Sequence, residues 1–477
     1  MRELYSLQRQ WISHCIGLCL AGVVAPLVSA FAQSPTGAVT GSAAGITAPA
    51  SAPPCHALPG PALAWSQAQQ RLRECNRDLH VAQRAASAAR TDIVTAGQRP
   101  NPTLSTGVGQ YAPAIGFGSG NLLDKQVDWL ARIDQTIERG NKRGLRIESA
   151  ELNARAAQWS VADVLRQQQL ALALAWIDLW GAQERVRLQR ELTALYHRTL
   201  DGARVRLKAG DIAAADVSRI ELDVQRAEGD RIAANTELAR ARNIVAALLA
   251  MEPHASQMHA QEPWPQLAEA SLTSVDPTRA ERPDLQAART QEAAAQARVR
   301  LAQSLQTRDV SVGLQLDRYA PQAGYGWLYG VYMSFPLFIN HRYEGEMARA
   351  QADLDTATIE RMRLEQAALG TQQRLAQARG LYRLRRERIE REALPLAEKV
   401  AANADLAYRK GAGTVLELLD ALRQMRTLQL EALTARLDED RADASARAEM
   451  LTAAAAADPI FGGSLPGSTL NQGAPNP

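Results

Sequence analysis

Hydrophobic positions along this chain recur with two periods, one helical and one of alternate residues, and the order in which they succeed each other is repeated. From about 62 to 98 the spacing of Ala62, Leu63, Trp65, Ala68, Leu72, Cys75 and Leu79 predicts helix. Arg99-Pro100-Asn101-Pro102 stops it, because proline lacks the amide donor and restricts its predecessor. Leu104, Thr106 and Val108 form a short alternating run. A clearer one follows, in which Val127, Trp129, Ala131, Ile133 and Ile137 alternate with Asp128, Arg132, Asp134 and Thr136. A proline-free helical stretch then runs from about 141 to 208, turns at Gly210, and returns as a helix from about 213 to 251.

The same order begins again about two hundred residues later. Pro283 opens a helix ending near Thr307, and Val310, Val312, Leu314 and Leu316 alternate with polar residues. Tyr325, Trp327, Tyr329, Val331, Met333, Phe335 and Leu337 give a long apolar face. A second long helix is predicted over about 342–409, interrupted only by Pro395, then a turn at Gly411 and Gly413, and a last helix over about 415–457. Ala150 aligns with Ala350, Gly210 with Gly411, and Asp216 with Glu417, so the chain is an internal duplication. The organisation expected is a first repeat over 62–251, a linker over 252–282, a second repeat over 283–457 and a flexible tail over 458–477.

A helix of about 68 residues is roughly 100 Å long at 1.5 Å per residue, more than a compact soluble domain needs. Four amphipathic strands of about ten residues, aromatic on one face, suit a membrane-spanning sheet. Every backbone group in lipid needs a partner, so open edges are forbidden there, and four strands are too few to close. Several copies must therefore contribute to one barrel. A soluble hairpin packed on helices is the competing reading of the strands.

The ends bear on location. Arg2 and Arg9 precede an apolar run, Cys15 to Ala32, that finishes in Ala30-Phe31-Ala32, the pattern of a secretory signal over 1–32 cut before Gln33. Residues 33–61, rich in Ser, Ala, Gly, Thr and Pro, read as a flexible leader. Removing the signal leaves Cys55 and Cys75, an even pair for which a disulfide is the natural reading outside the cytosol.

Composition narrows the function. Lys+Arg number 54 against 51 Asp+Glu, a net charge of +3, which leaves no basic excess for nucleic acid. Seven histidines, four cysteines and no nucleophile–base or phosphate-loop pattern argue against an enzyme, and no cofactor is expected. Met251, His254, Met258 and His259 cluster between the repeats and carry soft-ligand chemistry, but their irregular spacing predicts linker residues instead of a metal site.

The duplication, the Arg99-Pro100-Asn101-Pro102 stop, and Tyr408-Arg409-Lys410-Gly411 followed by Leu416-Glu417-Leu418-Leu419-Asp420-Ala421 resemble the TolC outer-membrane efflux factors over about 62–457. The run Ile137-Glu138-Arg139-Gly140-Asn141-Lys142-Arg143 is similar to the CzcC-like branch serving heavy-metal pumps. The resemblance implies a mainly α protein with a transmembrane β-barrel, a homotrimer with a twelve-stranded barrel over a periplasmic tunnel of helices. It further implies a periplasmic adaptor and an inner-membrane pump of the resistance–nodulation–division type. The expected function is a passive exit duct in the outer membrane for drugs or heavy-metal cations. Alternatives are a protein-secretion channel with the same fold, or a periplasmic adaptor or structural coiled coil.

The resemblance also implies a gate. Gly210 and Gly411 would mark the periplasmic tips, where the adaptor docks. Tyr408 would hydrogen-bond to Asp216, and Glu417 and Asp420, three apart on one helical face, would become rings of negative charge. Some family members carry a basic residue where Gly413 stands. Val127, Trp129, Ile133, Trp327, Tyr329 and Val331 are expected to face lipid.

Overall fold

The computed structural model describes residues 60, 62–109, 116, 127–265, 282–319 and 326–450. The expected signal and tail and, Gly60 apart, the leader, together with Cys55 and Tyr325, lie outside them. All described residues belong to the unit spanning Cys55–Pro477.

The first repeat opens with strand β1 (Ala62–Leu63) and helices α1 (Trp65–Cys75) and α2 (Arg77–Gly97). Strands β2 (Thr103–Gly109) and β3 (Asp128–Ile137) follow, then the long helix α3 (Lys142–Lys208) and its return α4 (Ala214–Leu248). A 3-10 turn (Glu252–Gln257) and strand β4 (His259–Ala260) close this half. The second repeat comprises α5 (Pro283–Ser304), β5 (Val310–Arg318), β6 (Trp327–Ser334), α6 (Glu344–Arg388), α7 (Leu394–Arg409) and α8 (Val415–Met450). Each repeat thus runs helix, strand pair, long helix, turn, helix.

The four long strands form one antiparallel sheet in the order β2-β3-β5-β6, so the hairpins of the two repeats join through β3 and β5. Register puts like residues side by side. Leu104, Ile133, Leu314 and Val331 form one row, and Thr106, Ala131, Leu316 and Tyr329 the next. The opposite face carries Ser105, Arg132, Gln315 and Gly330 in one row. Alternation therefore produces one apolar and one polar face, and the outer edges of β2 and β6 pair with no other strand among the described residues.

The corners where sheet becomes helix are alike in both repeats. Asn141 (φ 55°) precedes α3 and Tyr343 (φ 64°) precedes α6, both in the left-handed region that side chains other than Asn and Asp rarely adopt. At the first corner Lys142, buried, donates to the Thr307 carbonyl and to Asp309, each at 2.8 Å, which ties the corner to the end of α5.

The main core lies around the middle of α3. Trp65 packs edge-on against Trp176, with ring centroids 5.6 Å apart, and against Trp264 at 6.5 Å. Strand β4 pairs in parallel with β1, and Trp176 Nε1 donates to the Glu262 carbonyl at 3.1 Å. The stretch expected as linker is thus packed against the first helices as far as Pro265, a contact that periodicity could not reveal in two-residue strands. Helix α8 approaches α3 closely at Gly181, where any Cβ would collide with the Leu437 side chain.

The second long rod is not one helix. Five residues, Ile389–Ala393, form a π turn between α6 and α7, and Pro395 sits in the first turn of α7. The wider turn accommodates a proline that would otherwise break the ladder of hydrogen bonds.

Candidate functional site

The two hairpin turns have the same backbone. Gly210 (φ 84°) and Gly411 (φ 74°) end α3 and α7 in the left-handed conformation. The amide after each glycine reaches back five residues, Asp211 to the Arg206 carbonyl at 2.9 Å and Ala412 to the Ala407 carbonyl at 2.9 Å. That is the bonding of a Schellman cap, which satisfies carbonyls the helix end leaves open. The entries to the returning helices differ. Thr414 Oγ1 accepts from the Glu417 amide at 3.3 Å while Glu417 accepts from the Thr414 amide at 3.1 Å, a reciprocal capping box. Ala213, in the matching place, has no side chain to cap with. Glu417 therefore has a local structural task in addition to any wider one.

The expected Tyr408–Asp216 bond is not formed within the protomer. The Tyr408 hydroxyl is buried without a hydrogen-bond partner, and Asp216 pairs with Arg219 at 3.0 Å, one turn along its own helix. A flexible arginine at i+3 reaches the carboxylate on the same helix, whereas the phenol is fixed among apolar residues of the turn region. Glu417 and Asp420 are exposed on one face of α8, and Gln424 donates to Asp420 at 2.9 Å.

Different residues tie the two hairpins together. Arg206, near the end of α3, donates to the Tyr408 carbonyl at 2.9 Å, and its guanidinium carbon lies 4.7 Å from the centre of the Tyr408 ring. Further up, Arg423 on α8 reaches the buried Asp223 of α4 at 2.7 Å, and Arg426 pairs with Asp230. Arg441 on α8 pairs with Asp178 on α3 at 2.7 Å. Tyr196 is fully buried beside this network, and burial, with the charge of Asp223 adding to it, pushes its phenol above the ordinary tyrosine value. Moving α7 and α8 away from α3 and α4 would break these contacts. The sequence carried a signal for them: Arg423 and Arg426 share one helical face of α8, and Asp223 and Asp230, seven apart, share one of α4.

On the sheet, the residues expected to face lipid do share the apolar face, with one exception. Tyr329 and Val331 are 82% and 76% exposed, and Ile133 and Trp327 are about half exposed. Val127 lies just before β3 and is buried. Across the polar face Arg132 bonds Asp134 at 2.7 Å and lies over the Tyr332 ring at 4.7 Å.

Cys75 is disulfide-bonded, and its partner lies outside the described residues. Met251 and Met258 are buried in the tryptophan core while His254 and His259 are exposed, so the thioethers and imidazoles do not converge. Among the described residues no group of three or more His, Cys, Asp or Glu could hold a metal ion, and no helix is long and apolar enough to cross a membrane.

A duplicated helical hairpin joined to a four-stranded sheet with one apolar face is the protomer fold of the outer-membrane channels. OprN superposes with a TM-score of 0.68 at 20% identity, over 81% of this chain and 89% of that one. VceC from Vibrio cholerae gives 0.68 at 17% identity over 81% and 95%, and CusC gives 0.66 at 17% over 81% and 91%. In sequence the chain is similar to the cobalt-zinc-cadmium resistance protein CzcC of Cupriavidus metallidurans, 25% identical over 73% of this chain and 81% of the relative. It is also similar to the nickel-cobalt-cadmium resistance protein NccC of Alcaligenes xylosoxydans xylosoxydans, 27% identical over 48% and 53%. No protein-family model matches the chain.

Proposed function

We propose that this protein is the outer-membrane channel of a tripartite efflux system, a passive duct for divalent heavy-metal cations. An inner-membrane pump of the resistance–nodulation–division type, acting with a periplasmic adaptor, would deliver them. The observation that carries the reading is the sheet: its apolar face is exposed and its two edges pair with no other strand among the described residues. A lipid environment suits the face, and lipid forbids the edges unless other copies pair with them. Three copies give the twelve strands that the family resemblance implies, with Arg132, Asp134, Gln315 and Asp317 lining the lumen. The resistance proteins to which the chain is similar favour metal cations as cargo.

In this reading the hairpin turns at Gly210 and Gly411 are the periplasmic tips, where exposed Val205, Leu406 and Leu416 give an adaptor apolar surface to grip. Glu417 and Asp420, repeated by symmetry, supply a negative field at the entrance that favours cations. The leader would be tied to α1 by a Cys55–Cys75 bridge.

Deleting the gene and measuring cell-associated cobalt, zinc and cadmium tests the proposal. The deletion should accumulate these metals, and re-expression of the intact chain should restore efflux. Glu417→Ala with Asp420→Ala should restore it only in part, with weaker cation selectivity in planar bilayers. Metal levels indifferent to the deletion would contradict the cargo, and failure of the purified protein to insert into bilayers would contradict the channel.

A further inference from the structure

The apolar face of the sheet carries one charge among its described residues, and its position is specific. Arg318 ends β5, at the end of the sheet away from the helices, directly opposite Trp129 on one side and Trp327 on the other. Neighbours of this kind have Cβ atoms about 5 Å apart, so Arg318 stands in a row between two indoles. Two donors in this row lack acceptors: Arg318 Nη1 and Trp129 Nε1 are both buried without a hydrogen-bond partner. The nearest carboxylate in sequence, Asp317, belongs to the opposite face and accepts from Gln315 at 2.8 Å. Unpaired buried donors are unusual in native proteins, and these two stand on residues directly paired across adjacent strands.

We propose that Trp129, Arg318 and Trp327 form a site for the phosphate of an outer-leaflet lipid headgroup. The proposal rests on the outer-membrane reading above. Tryptophan gathers at the boundary between hydrocarbon and headgroups, and a guanidinium forms its strongest hydrogen bonds with phosphate and carboxylate oxygens. Phosphate oxygens would accept from both orphaned N–H groups at once. The source is a lipid, not a free ion, because the next row toward the helices, Ala131, Leu316 and Tyr329 with Thr106 at its edge, is mostly apolar and lies where acyl chains attached to that phosphate would run. No chemical step is involved; the site anchors the outer rim of the sheet at headgroup depth.

Native mass spectrometry of the detergent-purified intact channel tests the site, using diphosphoryl lipid A, the same lipid after dephosphorylation, and inorganic phosphate as probes. The native protein should retain the diphosphorylated lipid about tenfold better than the dephosphorylated one, the scale of one charge-assisted contact. Arg318→Gln should abolish that preference, Trp129→Phe should reduce it, and Arg318→Lys, which keeps the charge, should preserve much of it and guard against a folding artefact. An excess of inorganic phosphate should not displace the lipid. Equal retention of both lipids, an Arg318→Gln protein that keeps the preference, or displacement by inorganic phosphate would overturn the proposal. Bilayer insertion recorded on the same preparations separates the two readings: an inserted channel without lipid preference sinks only the site, and a protein that never inserts sinks the outer-membrane assignment.

Discussion

The two long rods arise from duplicated sequence, yet their surroundings differ. Helix α3 is lined with buried residues from Lys142 to Ala203, because it packs against α2 and α4 on one side and α5 and α8 on the other. Among the described helices α6 packs chiefly against α5 and α8, and Ala350 is its one buried residue. Ile359, Leu369, Leu381 and Leu384, each more than 60% exposed, stand along its open side. The first rod is therefore covered by more of the described helices than the second. Val81 and Val94 on α2 and Ile232 on α4 are exposed as well. Under the function proposed above, the protomer would be one segment of a closed ring, and the open side of α6 would meet the exposed residues of α2 and α4 of the next copy.

The comparison breaks most visibly at the open side of α6. Leu381→Glu with Leu384→Glu should convert trimers to monomers in native electrophoresis, since each leucine forfeits roughly 1.5–3 kcal/mol of burial at the interface. Leu172→Ala, inside the packing of α3, should instead cost the protomer about 2–5 kcal/mol in denaturant unfolding while the copies that fold still assemble.

The same logic applies to the faces of the sheet. Val331→Arg on the apolar face should lower insertion into lipid vesicles by about 2–4 kcal/mol near mid-bilayer, whereas Gln315→Arg on the polar face should leave insertion intact and change ion selectivity. Next in size come the ties between the hairpins. Arg423→Gln with Arg426→Gln removes two charge-assisted bonds per protomer, about 1.5–3 kcal/mol each before solvent screening, since each pair has one partly exposed member. The double variant should raise single-channel conductance in planar bilayers. Tyr408→Phe should leave conductance unchanged, because its hydroxyl bonds nothing in the protomer.

The smallest effect concerns the first corner. Glu138 accepts from Arg146 through two nitrogens, one at 2.9 Å, and that hydrogen bond holds its carboxyl below the usual glutamate value. A lowered carboxyl contributes stability above its unfolded value near 4.5 and loses it as pH falls through the native value. Glu138→Gln should therefore flatten the acid side of a melting-temperature profile and lower it slightly at neutral pH.

Much of the fold was legible because it is repetitive. Helix and strand periods marked both long rods, both turns and all four long strands to within a few residues, since rods and two-faced sheets write their pattern over many positions. What stayed hidden was tertiary. The β1–β4 pair spans two residues on each side, too short for any period, and the π turn before Pro395 leaves no pattern of its own. The candidate gate was read residue by residue from resemblance, and the protomer arranges those side chains differently: Glu417 caps a helix and Asp216 serves Arg219. The ties that do join the hairpins are arginine–aspartate pairs, which look like any solvated helix face until the partner helix is in place.

Native mass spectrometry of the purified protein in detergent tests the central claim most directly, because the proposed channel requires other copies to cover the open side of α6 and to pair with the sheet edges. The account predicts a single assembly of three copies that falls to monomers when Leu381 and Leu384 are made glutamate. A native protein that is monomeric under conditions where it remains folded, with its α6 surface permanently bare, would contradict it.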